Sequence, residues 1–211
     1  GFSYADLDDA TAEQARLTTI EEKGYFLLPS QLYGAVQSAA SKDENLNETL
    51  VSVFKAVEAT AVGTASENAY KGLFSAFDPN AAVLGDTIDE RNKRVVRLLT
   101  AVAAYEMTDA ADDFDELLRY YVTTAGKKGG EFYTPAQVVR LLVHLIDPQP
   151  GMTVYDPTCG SGGMLIQSKQ YLAEHGKDDR NISLYGQEMN LSTWAICKMN
   201  MFLHGIFSAD I

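Results

Sequence analysis

The sequence is poor in cysteine, histidine and long apolar stretches, and each shortage removes a class of answer. Two cysteines, Cys159 and Cys197, in 211 residues cannot make a disulfide framework, so a reducing cytoplasm is the expected setting. The three histidines, His144, His175 and His204, have no metal-ligand spacing, and no metal site is expected. No apolar run approaches the roughly 18 residues that a membrane helix needs, no secretory leader is visible, and no membrane partner is expected. Repeats and low-complexity tracts are also missing.

Positive charge is short as well. Lys and Arg number 17 against 29 Asp and Glu, a formal net charge of −12, whereas duplex binding relies on cations that neutralise phosphates. The shortage is uneven. Residues 1–125 hold 21 acidic and 10 basic side chains, a balance of −11, while residues 126–211 hold 8 and 7, a balance of −1. The first part is a poor binder of DNA and the second is neutral. Contact with DNA must come from a local patch, from residues beyond this sequence or from a partner.

What is present is enough apolar material, 46% of residues, to bury a core in one or two domains. From Asn47 the set Leu50, Val53, Phe54, Val57 and Ala61 recurs at helical spacing. Phe74 to Gly85, with Asp78-Pro79-Asn80, reads as a loop. Thr87 followed by Glu90 forms a capping box, ahead of a stripe of Val95, Leu98, Leu99 and Val102. A further helix carries Phe114, Leu117, Leu118 and Tyr121. Residues 1–123 therefore read as a helical domain.

The pattern changes at the basic loop Gly126-Lys127-Lys128-Gly129-Gly130. Thr134 is expected to cap a helix with Pro135 at its first position, Gln137 completing the box, and Val138, Leu141, Leu142 and Leu145 buried before Pro148. A β-prone run, Thr153 to Tyr155, ends at Asp156. Thr158-Cys159-Gly160-Ser161-Gly162-Gly163 follows, then a helix from Met164 to His175 closed by Gly176. A second strand, Ile182 to Tyr185, runs into Gly186-Gln187-Glu188, and Asn190 caps a last helix reaching His204. Strand, helix, strand, helix with short connections begins a parallel α/β sheet.

The glycine loop carries the chemistry. A strand that turns through glycines into a helix lets backbone approach a ligand closely. The dinucleotide fingerprint places its glycines to receive a pyrophosphate, but Gly160, Gly162 and Gly163 are too tightly spaced for it, which argues against a nucleotide-dependent oxidoreductase. Asp156 before the turn would repel phosphate yet suits a cation. Glu188, about 25 positions on at the end of the second strand, can accept hydrogen bonds from ribose hydroxyls. Together they fit an adenosine ligand that lacks a pyrophosphate, with an ammonium and a sulfonium at its other end. An ordinary tight turn beside a solvated strand end is the plainer reading. Phe132 and Tyr133 can wall such a pocket, or act as packing staples at a helix entry.

Gly130-Glu131-Phe132-Tyr133-Thr134-Pro135, Asp156-Pro157-Thr158-Cys159-Gly160-Ser161-Gly162-Gly163, Gly186-Gln187-Glu188 and Met199-Asn200-Met201 with Leu203-His204-Gly205 together resemble the N6-adenine methyltransferase (modification) subunits of type I restriction-modification systems. The resemblance is specific from Gly129 onward, covers most of residues 70–211 and is loose before that. It implies an α plus α/β architecture. A helical N-terminal domain over 1–123 would precede the first half of a Rossmann-like methyltransferase domain over 124–211.

The cofactor implied is S-adenosyl-L-methionine. Glu131, Phe132, Tyr133, Thr134, Pro135, Ala136, Ser161, Gly162, Gly163 and Glu188 would contact it, with Asp156 and Gly160 shaping the loop. The partners implied are a DNA-specificity subunit, a restriction subunit and, through the assembled complex, duplex DNA. Lys127 and Lys128 can touch a phosphate, although a solvated loop is the plainer reading. The family's Asn-Pro-Pro-Phe or Asn-Pro-Pro-Tyr segment holds the flipped adenine, and it does not occur in the sequence. The chain is therefore expected to be a fragment without its catalytic motif, inactive alone. A non-catalytic module that assembles the other subunits is the alternative. Asn200 is followed by Met201 and lies in a helical pattern, so it is not a catalytic candidate.

Overall fold

The computed structural model describes residues 3–64, 66–75, 77–104, 110–124 and 134–211. The chain divides into two compact units, residues 1–106 and 107–211. The first carries six helices among its described residues: α1 (Asp9–Gln14), α2 (Arg16–Lys23), α3 (Tyr33–Ala39), α4 (Leu46–Ala61), α5 (Glu67–Tyr70) and α6 (Ile88–Ala103). Its core gathers Val36, Ala40, Leu46, Leu50 and Val95, with Phe54, Phe77 and Leu99 packed against them.

The capping box of α6 forms as expected: the Thr87 hydroxyl accepts from the Glu90 N–H at 3.2 Å, and the Glu90 carboxylate accepts from the N–H groups of Asp86 and Thr87. The expected apolar stripe holds only in part, because Leu98 and Val102 are exposed while Val95 is buried. The other inward position is Asn92. Its Oδ1 accepts from the Asn47 N–H in the first turn of α4 at 3.2 Å, and its Nδ2 donates to the Glu44 carbonyl at 2.8 Å. Asn45, at the N-cap of α4, makes no side-chain capping bond. A residue of α6 thus satisfies one of the four orphan donors that open every helix, and a polar side chain holds a core position because it caps another helix.

The second unit runs α7 (Ala110–Thr124), α8 (Ala136–Ile146), β1 (Thr153–Asp156), α9 (Gly163–Glu174), β2 (Ser183–Gly186) and α10 (Leu191–Leu203). Sequence patterning places α7 with the helical domain ending at 123. In the structure α7 packs on α10, and the division between units falls after Glu106. β1 and β2 pair in parallel, from Thr153↔Ser183 to Asp156↔Gly186, with α9 as the crossover. Asp210 bridges to the outer edge of β2. Leu165, Ile166, Leu184, Cys197 and Met201 form the core beneath the strands. Asn190 caps α10 as expected, accepting from the N–H groups of Ser192 and Thr193. No helix among the described residues is long and apolar enough to cross a membrane.

Two expectations for α8 are corrected. Thr134 does not cap it: the helix starts at Ala136 with Pro135 as the N-cap residue and no side-chain capping bond. Its buried residues are Val139 and Val143, while Val138, Leu141 and Leu145 are exposed, Leu145 at 73%. Gln137, Arg140 and His144 mark a polar face, so periodicity points to the face opposite them. Tertiary packing overrides it, by setting Val143 against Tyr171 and Leu172 of α9. Asp147 ends α8 in a left-handed conformation, φ 48°, and the Tyr171 hydroxyl donates to its Oδ1 at 2.8 Å. That bond, assisted by Lys177, holds the Asp147 carboxyl below the usual carboxylate range.

Replacing Asn92 with Ala should lower the unfolding free energy by about 1–3 kcal/mol, the cost of stranding buried polar partners, as read by denaturant unfolding. A change inside about 0.5 kcal/mol, the scale of ordinary surface substitutions, would refute the tertiary cap. Tyr171→Phe should move the Asp147 titration upward in carboxyl carbon NMR. Because the folded value is depressed, the stabilisation from Asp147 is present above the unfolded carboxylate pKa of about 4 and is lost as pH falls through the folded value. The variant should therefore lose less stability across that acid window than the parent, and an unmoved titration would show that the bond does not hold the carboxylate.

Candidate functional site

β1 delivers the chain to a turn that two glycines make possible. The Asp156 Oδ1 accepts from the Thr158 N–H at 3.0 Å, which starts the turn. Gly162 adopts φ 84°, and a Cβ there would lie 2.9 Å from Cys197 Sγ and 3.0 Å from Met201 Cε. Both its conformation and its space admit only glycine. Gly186, at the end of β2, is required by contact alone: a Cβ would meet the Ile211 side chain at 2.7 Å and Cys159 Sγ at 3.0 Å. The loop can lie on the strand end because nothing projects from it.

The strand ends are then tied together. The Gln187 N–H donates to the Asp156 carbonyl at 2.9 Å, and the Cys159 N–H donates to the Gln187 carbonyl at 3.0 Å. The Gly160 N–H donates to Glu188 Oε2 at 3.2 Å, while Glu188 Oε1 accepts from the Asn190 N–H at 2.8 Å. Glu188 therefore joins the glycine loop to the start of α10. Each of its oxygens keeps a further lone pair.

A cavity of about 210 Å³ opens beside the loop. Of the residues that the sequence singled out, Thr134, Ala136, Asp156, Gly160, Ser161 and Gly163 line it. Pro135, Gly162 and Glu188 are outside its wall: Gly162 is turned toward α10, and Glu188 braces the loop. Glu131, Phe132 and Tyr133 lie outside the described residues.

Sequence reasoning missed other members of the wall, Gln167 and Gln170 of α9, Asp115 of α7 and Asn200 of α10 among them. Met164, Gln167 and Gln170 were findable, since a three-residue step from the loop traces one helix face. Asp115 comes from a helix with no local signal. Its Oδ2 lies 3.7 Å from His204 Nε2, and His204 Nδ1 lies 2.9 Å from the Asn200 carbonyl oxygen. Beneath the loop the Cys159 and Cys197 sulfurs are 3.9 Å apart, both as buried thiols. Their contact lowers the Cys159 pKa and, together with burial, raises that of Cys197.

The arrangement has a definite electrostatic character. A phosphate loop offers free backbone N–H groups to an anion. Here the Gly160 N–H is already taken by a carboxylate, and Asp156 adds a second acidic side chain at the cavity. The site favours a ligand that brings positive charge and hydrogen-bond donors. Among the described residues no group of His, Cys, Asp and Glu could hold a metal ion.

The N-6 DNA methylase family matches residues 107–211. The MpnII type I restriction enzyme methylase subunit of Mycoplasma pneumoniae is 36% identical over 227 aligned residues, covering 99% of this chain and 41% of that protein. The MjaVII methylase subunit of Methanocaldococcus jannaschii is 33% identical over 175 residues, covering 82% of this chain and 27% of its own length. The crystal structure of a type I restriction-modification methyltransferase subunit from Streptococcus thermophilus superposes with a TM-score of 0.77 at 27% identity, covering 98% of this chain and 44% of that one. The chain thus spans less than half the length of each of these relatives. It belongs to the N-6 DNA methylase family, among the methylase subunits of type I restriction enzymes.

Proposed function

We propose that the cavity beside the glycine loop binds S-adenosylmethionine, and that residues 107–211 form the first half of the Rossmann-like cofactor domain of a modification subunit. The whole subunit transfers the methyl group to adenine N6 in a specific DNA sequence. The observation that carries this reading is the Glu188 carboxylate seated on the Gly160 N–H. It takes up an N–H that a pyrophosphate would otherwise use and leaves acidic oxygens for ribose hydroxyls. Asp156 lines the cavity and suits the cationic end of the ligand. Thr134 and Ala136, at the head of α8, wall it from the other side.

When bound, the cofactor supplies the methyl group. The residues of this chain bind and orient it, and they keep phosphate-bearing nucleotides out. The Asn-Pro-Pro-aromatic segment that would hold the target adenine is absent from the sequence, so transfer belongs to the longer subunit and this chain alone is inactive. Reading of the DNA sequence falls to a specificity subunit, and cleavage to a restriction subunit, which accords with the surplus of acid in this chain. The alternative, a module that only assembles subunits, draws support from the uncovered apolar residues Leu141, Leu145 and Ile146 of α8.

Calorimetric titration tests the reading, after circular dichroism has established folding. S-adenosylmethionine should bind, Glu188→Ala should weaken it by about 1–3 kcal/mol, the scale of a lost bond to a charged group, and NAD should not bind. A folded chain that ignores S-adenosylmethionine favours the assembly module, and tight NAD binding would sink the methyltransferase reading.

A further inference from the structure

Asn200 lies one turn from the end of α10, 2% exposed, in the wall of the cavity. Its Nδ2 donates to the Ser161 carbonyl at 3.0 Å, across 39 positions of sequence. Its Oδ1 is buried and has no partner among the described residues. An unpaired buried amide oxygen is costly, and folded chains seldom keep one. Flipping the amide would not remedy it, because Oδ1 would then face the Ser161 carbonyl, a second acceptor. The side chain is therefore held in an arrangement whose one satisfied group is its bond to the loop. A residue kept only for packing would have been served by an apolar side chain of similar volume.

The bond has a second anchor. The Asn200 carbonyl oxygen contacts His204 Nδ1 at 2.9 Å, and His204 Nε2 lies 3.7 Å from Asp115 on the α7 side of the same cavity. Asn200 thereby connects the glycine loop to the opposite wall. The other loop bonds hold Cys159, Gly160 and Gly162, and Asn200 supplies the donor for Ser161, where the chain turns into α9.

We propose that Asn200 is a positioning residue of the site: its amide presets the Ser161 turn and, through it, the opening onto which the cofactor docks. The link to cofactor affinity rests on the S-adenosylmethionine reading, while the hold on the loop does not.

Asn200→Asp is close to isosteric and gives the test a signature. An ionised carboxylate cannot donate to the Ser161 carbonyl, whereas a protonated one can, and burial raises a carboxyl pKa toward accessible pH. At about pH 8 the variant should bind S-adenosylmethionine about tenfold or more weakly than the parent chain, and at about pH 5 the gap should close to about threefold. Asn200→Leu should be weak at both. Equal affinity of Asn200→Asp and parent at the higher pH, or a loss that persists unchanged at the lower, would overturn the proposal. Amide hydrogen exchange over Cys159–Gly163 in the ligand-free chain reads the hold on the loop without any cofactor. Faster exchange in both variants, relative to the interior of α9, is expected, and unchanged exchange overturns the inference. A parent chain that fails to bind S-adenosylmethionine would sink the cofactor reading and with it the affinity claim, while exchange still decides whether Asn200 holds the loop.

Discussion

The parallel pairing of β1 with β2 sets the level of everything at the site. Register places Asp156 opposite Gly186, so the glycine loop and the Gln187-Glu188 segment leave the two strands at the same height. The main-chain bonds between Asp156, Gln187 and Cys159 can then form, and Glu188 reaches the Gly160 N–H. A slip of one residue would turn every side chain to the other face and carry Glu188 away from the loop. Gly186 matters to the same constraint, because a side chain there would push the loop off the strand end.

That geometry supports the proposed ligand class better than the glycines do. Glycine-rich turns between a strand and a helix serve anions through free N–H groups in phosphate and dinucleotide sites. Here the Gly160 N–H is spent on a carboxylate, and the cavity beside it carries a second one. We propose that the site selects by electrostatics, disfavouring phosphate and favouring a cationic ligand with hydroxyls to donate. The family comparison places the chain among proteins named as methylase subunits, and the carboxylate-capped loop supplies a physical reason why such a protein would use this turn.

The elements were legible in the sequence where local chemistry decides them. The Thr87 capping box, the Asn190 cap and the strand-loop-helix around Gly160 all depend on neighbours within a few positions, and all appear in the structure. Tertiary decisions were not legible. Nothing near Asn92 says that it caps α4, nothing near Asp115 says that it lines the cavity, and nothing in the apolar run of α8 says that Val139 and Val143 face inward while Leu145 does not. Of the expected site residues, Asp156, Gly160, Ser161 and Gly163 of the loop and Thr134 with Ala136 converge on one cavity. Glu188 is outside the cavity wall and bonds the loop at Gly160, a placement that depends on strand register and not on composition. Asn200 was passed over because it lacks the prolines of a catalytic segment, a criterion blind to a structural bond with Ser161.

We propose that one ligand, S-adenosylmethionine, is held at the carboxyl ends of β1 and β2. Backbone amide chemical shifts of the 211-residue chain, followed through a titration with that compound, test it most directly. Saturable changes centred on Asp156–Gly163 and Gly186–Glu188 are expected, with residues 1–104 unmoved. Changes centred in the helical unit, or none in a folded chain at millimolar ligand, would contradict it.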